Sequence, residues 1–259
     1  ECLLRWHHPE LGLIFPTEVL EIASESGLAG KLDRWVLATA MVHAARWQQR
    51  GYTFGRVSVN IMTGTLVDPA FRDWLHAQLD AHGVHPQRLD LEIVESAVVS
   101  DLEATVEVMR RLRDDGVTFS LDDFGTGFSS LSILRELPVS TLKIDKSFVE
   151  RVGDDARAAS LCSGIVNLAH ELGLSTGAEG GETTSQSGIL RALRCDQLQG
   201  FWFDEPLSAD DFEARYGERA ADVEVVEAHE GDGLAVGQRR RRHVGDALVD
   251  SSRIAEPSQ

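Results

Sequence analysis

The feature that most limits what this chain can fold into is an alternation of short β-like runs with longer helical patterns. ECLLRW at residues 1–6, VSVNI at 57–61, LDLEI at 89–93 and VTFSL at 117–121 read as strands. So do TLKI at 141–144, LSTGA at 174–178 and LQGFWF at 198–203. Helical spacing covers roughly 16–26, 31–50, 68–82, 101–115, 155–172 and 185–193, with a short helix near Leu131. In the fourth of these, Leu102, Val106, Met109 and Leu112 share a face, Ser100 is the expected N-cap with Glu103 three residues on, and Gly116 is the stop. Strands alternating with helices imply an α/β fold with a mostly parallel sheet, and continuous apolar strands fit a sheet covered on both faces. Seven strands are one fewer than a (β/α)8 barrel needs.

Length and charge narrow the function. With 42% hydrophobic residues, 259 residues can bury one sizeable core or two small ones. A net charge of −17 gives no long-range attraction to nucleic-acid polymers or anionic lipid, so an anionic substrate needs local cations. Cys2, Cys162 and Cys195 lie far apart and read as buried free thiols of a reducing compartment. The chain has no 18-residue apolar run and no signal-peptide pattern, so a cytoplasmic location without membrane contact is expected. Past Tyr216 periodicity fails. Residues 216–259, including the basic run 239–242, are expected to be a disordered tail of mixed charge behind a domain spanning 1–215. His7 and His8 read as surface residues before Pro9.

The chemistry gathers at strand ends. Asn60, Glu92 with Glu95 beyond it, Asp122 and Asp123, Lys143 and Asp145, Glu179 and Glu182, and Gln199 all close or follow strands. Period-2 alternation places Glu1, Leu3 and Arg5 on one face of the first strand. Any one of these residues alone is more often a cap, a turn residue or a solvated charge. Together, at one mouth of a barrel, they would bring at least five carboxylates into a partly buried space. That grouping calls for hard divalent cations, Mg²⁺ or Mn²⁺ in a two-metal site. Two adjacent aspartates in FSLDDFGTGFSS then make sense, because cations remove their repulsion. The residues alone leave open a barrel lyase or isomerase with metal carboxylates and a lysine base.

ECLLRW, VSVNI, LEIVES, SLDDFGTGFSSL, LKIDKSFV, AEGGET and QGFWFDEPL resemble, in order and spacing, the motifs of the EAL domain, the bacterial cyclic di-GMP phosphodiesterase family. The resemblance runs from Glu1 to about Phe212. It implies a modified TIM barrel, here lacking its first strand, that hydrolyses cyclic di-GMP to linear pGpG. It implies metal ligation by Glu1, Asn60, Glu92 and Asp122, with Asp123 and Glu182 contributing to a second metal. Glu179 is implied as general base and Lys143 as the residue that orients the attacking water. Arg5, Leu3, Asp145 and Gln199 fall to substrate binding, and Glu95 to holding the loop at 123–130. Cyclic di-GMP is the implied partner; a homodimer and an upstream regulatory domain outside this chain are further expectations. Departures from the family pattern are Cys2 for alanine, Val94 where many active members carry threonine, and Gly181 for valine. A binding module that holds cyclic di-GMP without cleaving it is the alternative.

Overall fold

The computed structural model describes residues 1–52, 54–98, 102–126, 131–217 and 247–250, with the backbone alone at 131–132 and 247–250. The chain opens with β1 (Cys2–His8), β2 (Gly12–Ile14), α1 (Pro16–Glu25) and α2 (Ala29–Gln49). β3 (Val57–Asn60), α3 (Thr63–Leu66), α4 (Phe71–His82), β4 (Leu89–Val94), α5 (Glu95–Val98) and α6 (Leu102–Asp114) follow. Next come β5 (Thr118–Phe124), α7 (Leu131–Glu136), β6 (Thr141–Ile144), α8 (Lys146–Val149), α9 (Ala156–Glu171) and β7 (Ser175–Ala178). The series ends with α10 (Thr184–Ala192), β8 (Gln197–Leu198), β9 (Leu207–Ser208), α11 (Ala209–Tyr216) and β10 (Ala247–Asp250).

One sheet joins the strands in the order β8-β7-β6-β5-β4-β3-β1-β10-β9, parallel at every step, and β2 pairs antiparallel with the far half of β1. All seven expected strand positions are present. β8 and β9, at the two ends of the order, are not paired with each other, so the sheet is not closed. Alternation divides each strand's residues between the two faces. On β4, Leu89, Leu91 and Ile93 are buried and belong to the core with Met109 and Leu112 of α6 and Leu75 and Leu79 of α4. Each fully buried aliphatic side chain of this kind contributes about 1.5–3 kcal/mol. Asp90 and Glu92 take the other face, toward the inside of the curved sheet. The apolar core therefore lies between sheet and helices, and the interior is polar.

Local chemistry fixes several elements. Asp155 caps α9 by accepting from the Arg157 N–H, and Thr183 with Gln186 forms a capping box at the start of α10. Glu213 anchors α11 on α2: it accepts from Trp47 Nε1 at 3.1 Å and pairs with Arg46 at 3.0 Å and with Arg50.

Three expectations change. LQGFWF is a strand only at Gln197–Leu198. At Gly200 φ is +152°, and a Cβ there would lie 2.4 Å from the Gly181 carbonyl oxygen. The strand ends because the backbone at Gly200 turns against Gly181, which donates to Gln199 O and accepts from Trp202 N–H. Those two bonds also tie down the double-glycine turn. The helix expected from 68 begins at Phe71, since Asp68 accepts from the Ala70 N–H at 2.9 Å and pairs with Arg34. β10 puts a strand inside the stretch expected to be unstructured; the rest of 218–259, like Ser100, lies outside the described residues.

Candidate active site

Lys143, on β6, is the hub. Its side chain is 8% exposed and its Nζ meets four carboxylates: Glu179 at 2.5 Å, Glu92 at 2.8 Å, Asp122 at 3.4 Å and Glu1 at 3.5 Å. Parallel neighbours β4, β5, β6 and β7 bring three of the acids to one level at their C-terminal ends. Glu1 arrives differently. Cys2 is in register with Val59, near the end of β3, so β1 starts where β3 finishes and runs on past the mouth. Glu1 thus enters from the beginning of its strand. Arg5 and Leu3 stand beyond it, Arg5 about 13 Å further at strand rise. The Arg5 guanidinium donates to Leu4 O and lies 5.4 Å from the centre of the Phe15 ring. Amides complete the ring: Asn60 Nδ2 donates to Glu1 at 2.7 Å and to Glu92 at 3.5 Å, and Gln199 Nε2 donates to Glu1 at 2.6 Å.

The two aspartates are separated by a bulge. Leu121 pairs with Leu142 and Phe124 with Ile144, so two residues of β5, Asp122 and Asp123, oppose the single Lys143. Asp123 has φ +54°, a left-handed conformation that aspartate tolerates better than most residues. Asp122 faces Lys143, and Asp123 lies beside Asp145, whose like charge acts on it. Asp145 itself caps α8, accepting from the Ser147 N–H at 3.0 Å. Gly125, at φ +101°, follows; a Cβ there would meet the Phe148 ring at 2.8 Å, so the aspartate loop and α8 need glycine to pack. Glu95 accepts from the Gly125 N–H at 3.4 Å, on the side expected of a loop support; residues 127–130 of that loop lie outside the described residues.

Electrostatics shows how far this group is from neutrality. Burial raises Glu92 well above the usual carboxylate range, and Glu1 beside it adds to this. Burial, with Asp122 and Glu1 adding, pushes Glu179 up to about 7 despite Lys143. At Glu1 burial acts upward too, but Lys143 and the Gln199 hydrogen bond act against it and lower the carboxyl. Burial opposes charge on Lys143, yet its four acids hold it well above the ordinary lysine range. Burial, Asp122 and Asp145 raise Asp123.

One ammonium cannot satisfy four acids. Asp122 Oδ1 is buried without a hydrogen-bond partner at 3.4 Å from Lys143, while Glu179 Oε1 takes the ammonium at 2.5 Å. Oxygens of Glu1, Glu92 and Asp122 lie within 4.8 Å of one another, a spacing that suits a divalent cation. Asn60 can present its oxygen to the same place by a half-turn of its amide. The donor set therefore fits Mg²⁺ or Mn²⁺. Of the residues expected at the site, Glu1, Asn60, Glu92, Asp122, Lys143, Glu179 and Gln199 converge, and Asp123 and Asp145 adjoin them. Glu182 does not: it is exposed, and its backbone N–H donates to Gln186 Oε1. The sequence reading missed Asp90, Ser58 and Ser120, which line a polar cavity of about 790 Å³ beneath the acids. Their signal was the i, i+2 spacing from Glu92, Asn60 and Asp122.

Comparison with known proteins agrees with this geometry. The EAL domain family matches residues 1–206. The bifunctional diguanylate cyclase/cyclic di-GMP phosphodiesterase MucR of Pseudomonas aeruginosa is 38% identical over 210 residues, covering 81% of this chain and 31% of that protein. The chain spans about a quarter to a third of the length of such curated relatives. A solved PaMucR phosphodiesterase in complex with c-di-GMP superposes with a TM-score of 0.72 at 37% identity, over 76% of this chain and 80% of that one. A manganese/cy-diGMP complex of Klebsiella pneumoniae BlrP1 gives 0.67 at 26% identity, over 74% and 48%. Among the described residues no helix is long and apolar enough to cross a membrane. A family match over some four-fifths of the chain, on a sheet that gathers the motif residues at one mouth, makes this chain a member of the EAL domain family.

Proposed function

We propose that this domain hydrolyses one phosphodiester bond of cyclic di-GMP and releases linear pGpG. The observation that carries the reading is four carboxylates around a single buried lysine, with a buried Asp122 oxygen left without a hydrogen bond. Glu1, Asn60, Glu92 and Asp122 would hold one cation, and Asp122 with Asp123 a second. Bound there, Mg²⁺ or Mn²⁺ supplies charge for the anionic diester and lowers the pKa of an attacking water.

The protein's own groups do the rest. Glu179, half-buried beside Lys143, takes the proton of the attacking water, a role suited to a carboxyl raised toward neutrality. Lys143 donates to Glu92 and keeps the acids at fixed separation, and its charge faces the developing negative oxygen. Gln199 holds Glu1 in place. Arg5, standing outside the acids on β1, offers a planar fork to the second phosphate, and Leu3 an apolar contact. Asp145 borders the nucleotide side of the mouth, and Glu95 keeps the aspartate loop in shape. The test is incubation with cyclic di-GMP and Mg²⁺, followed by assay of bound nucleotide and of pGpG. The exposed position of Glu182, outside the cluster, favours a second reading: a domain that binds cyclic di-GMP with the second cation too weakly held for turnover. Bound nucleotide without pGpG is its result.

A further inference from the structure

Three inward positions lie two residues before members of the acid cluster: Ser58 before Asn60, Asp90 before Glu92, and Ser120 before Asp122. Two residues along a strand keep a side chain on the same face, about 6.7 Å lower. These residues therefore form a layer directly beneath the cluster. Asp90 is its centre. It is 4% exposed, and it accepts from Thr118 at 2.7 Å, from Ser120 at 2.6 Å and from Ser58 at 3.3 Å. Ser58 of β3 and Thr118 of β5 are the register partners of Asp90, and Ser120, opposite Glu92, reaches Asp90 from one step further along β5. In a packed (β/α)8 barrel this layer would be filled by branched apolar side chains. Here it borders the polar cavity, so packing cannot set the spacing of the three strand ends above it.

We propose that Asp90 is a positioning residue for the cation site: its three hydrogen bonds across β3, β4 and β5 hold Asn60, Glu92 and Asp122 at the separation a divalent cation requires. Asp90 touches neither substrate nor cation. It acts through the strands, as outer hydrogen-bond partners of metal ligands do when their loss costs about 10–100-fold in affinity. The inference rests on the metal part of the proposed function and not on the nucleotide or the hydrolysis.

The experiment is Mn²⁺ binding to the full chain, measured by calorimetry and by the Mn²⁺ resonance signal, for wild type and variants. Asp90→Ala is expected to bind Mn²⁺ at least about 10-fold more weakly. Asp90→Asn keeps an acceptor at the same place, and the hydroxyls can turn to meet its amide. It is expected to stay within about threefold of wild type. Asp90→Ala that folds and binds Mn²⁺ like wild type overturns the proposal, and so does Asp90→Asn as weak as the alanine variant, since charge would then be the cause. If Asp90→Ala does not fold, Ser120→Ala decides: a several-fold loss supports the positioning role and unchanged affinity overturns it. Wild-type protein that binds no Mn²⁺ overturns the cation reading and this inference together. Wild type that binds Mn²⁺ but does not cleave cyclic di-GMP removes the hydrolysis alone.

Discussion

At the scale of single residues, Lys143 and Glu179 carry opposite burdens. Glu179→Gln keeps shape and hydrogen bonding but cannot accept a proton. Hydrolysis is expected to fall by about 10²–10⁴-fold with cyclic di-GMP affinity little changed; turnover equal to wild type would remove Glu179 from the base role. Lys143→Met leaves four acids, of which Glu92 and Asp122 are buried, without their cation. Removing one partner of a buried charge group costs about 3–5 kcal/mol. The variant should therefore melt well below wild type in EDTA and regain part of the loss when Mn²⁺ is added; equal melting of both proteins in EDTA contradicts the account. Most of this group was legible from polar residues closing successive strands. Glu182 was placed near the metals by its place after the LSTGA run and by its motif, but its position depends on a turn bonded to Gln199 and Trp202, which strand periodicity does not encode.

At the scale of elements, hydrophobic period located the seven main strands and the long helices, because both faces of the sheet and one face of each helix are buried. It did not find β2 and β9, of three and two residues, which are too short to carry a period, nor β10, which lies in a charged stretch without periodicity around it. Nor did it give the bulge that turns Asp122 to Lys143 and Asp123 toward Asp145, since a bulge is set by pairing with β6. Asp115 offers a test of an inter-element tie. It receives two hydrogen bonds from Arg72 at 2.8 Å and lies 2.8 Å from His76 Nε2, joining α4 to the turn before β5. The Arg72 hydrogen bonds come first among the causes that lower its carboxyl. A carboxyl lowered on folding contributes stability above its unfolded pKa, about 3.9, and that stability is lost as pH falls through the folded value. Arg72 is 44% exposed, so solvent screens the tie and its contribution is small. Urea unfolding of Asp115→Asn should show a small deficit at pH 7 and a smaller one at pH 3; a deficit that grows in acid contradicts the assignment.

At the scale of the whole molecule, the strand that carries Glu1 has few partners on its inner side. β1 shares one register pair with β3, but four with β10 and three with β2. A segment 30 residues beyond α11 in sequence therefore helps hold a residue of the acid cluster. Ending the chain at Gly217 should lower Tm by about 4 °C or more and weaken Mn²⁺ binding; unchanged values of both would mean that β10 contributes nothing to the folded domain. The central claim is that the interior acids, the lysine hub and the amides form a cation-dependent phosphodiester hydrolase. The most direct measurement is nucleotide chromatography of cyclic di-GMP incubated with the purified chain and Mn²⁺. The account predicts conversion to pGpG that stops with EDTA and in Glu179→Gln. Folded protein that binds Mn²⁺ and cyclic di-GMP yet yields no pGpG would contradict it.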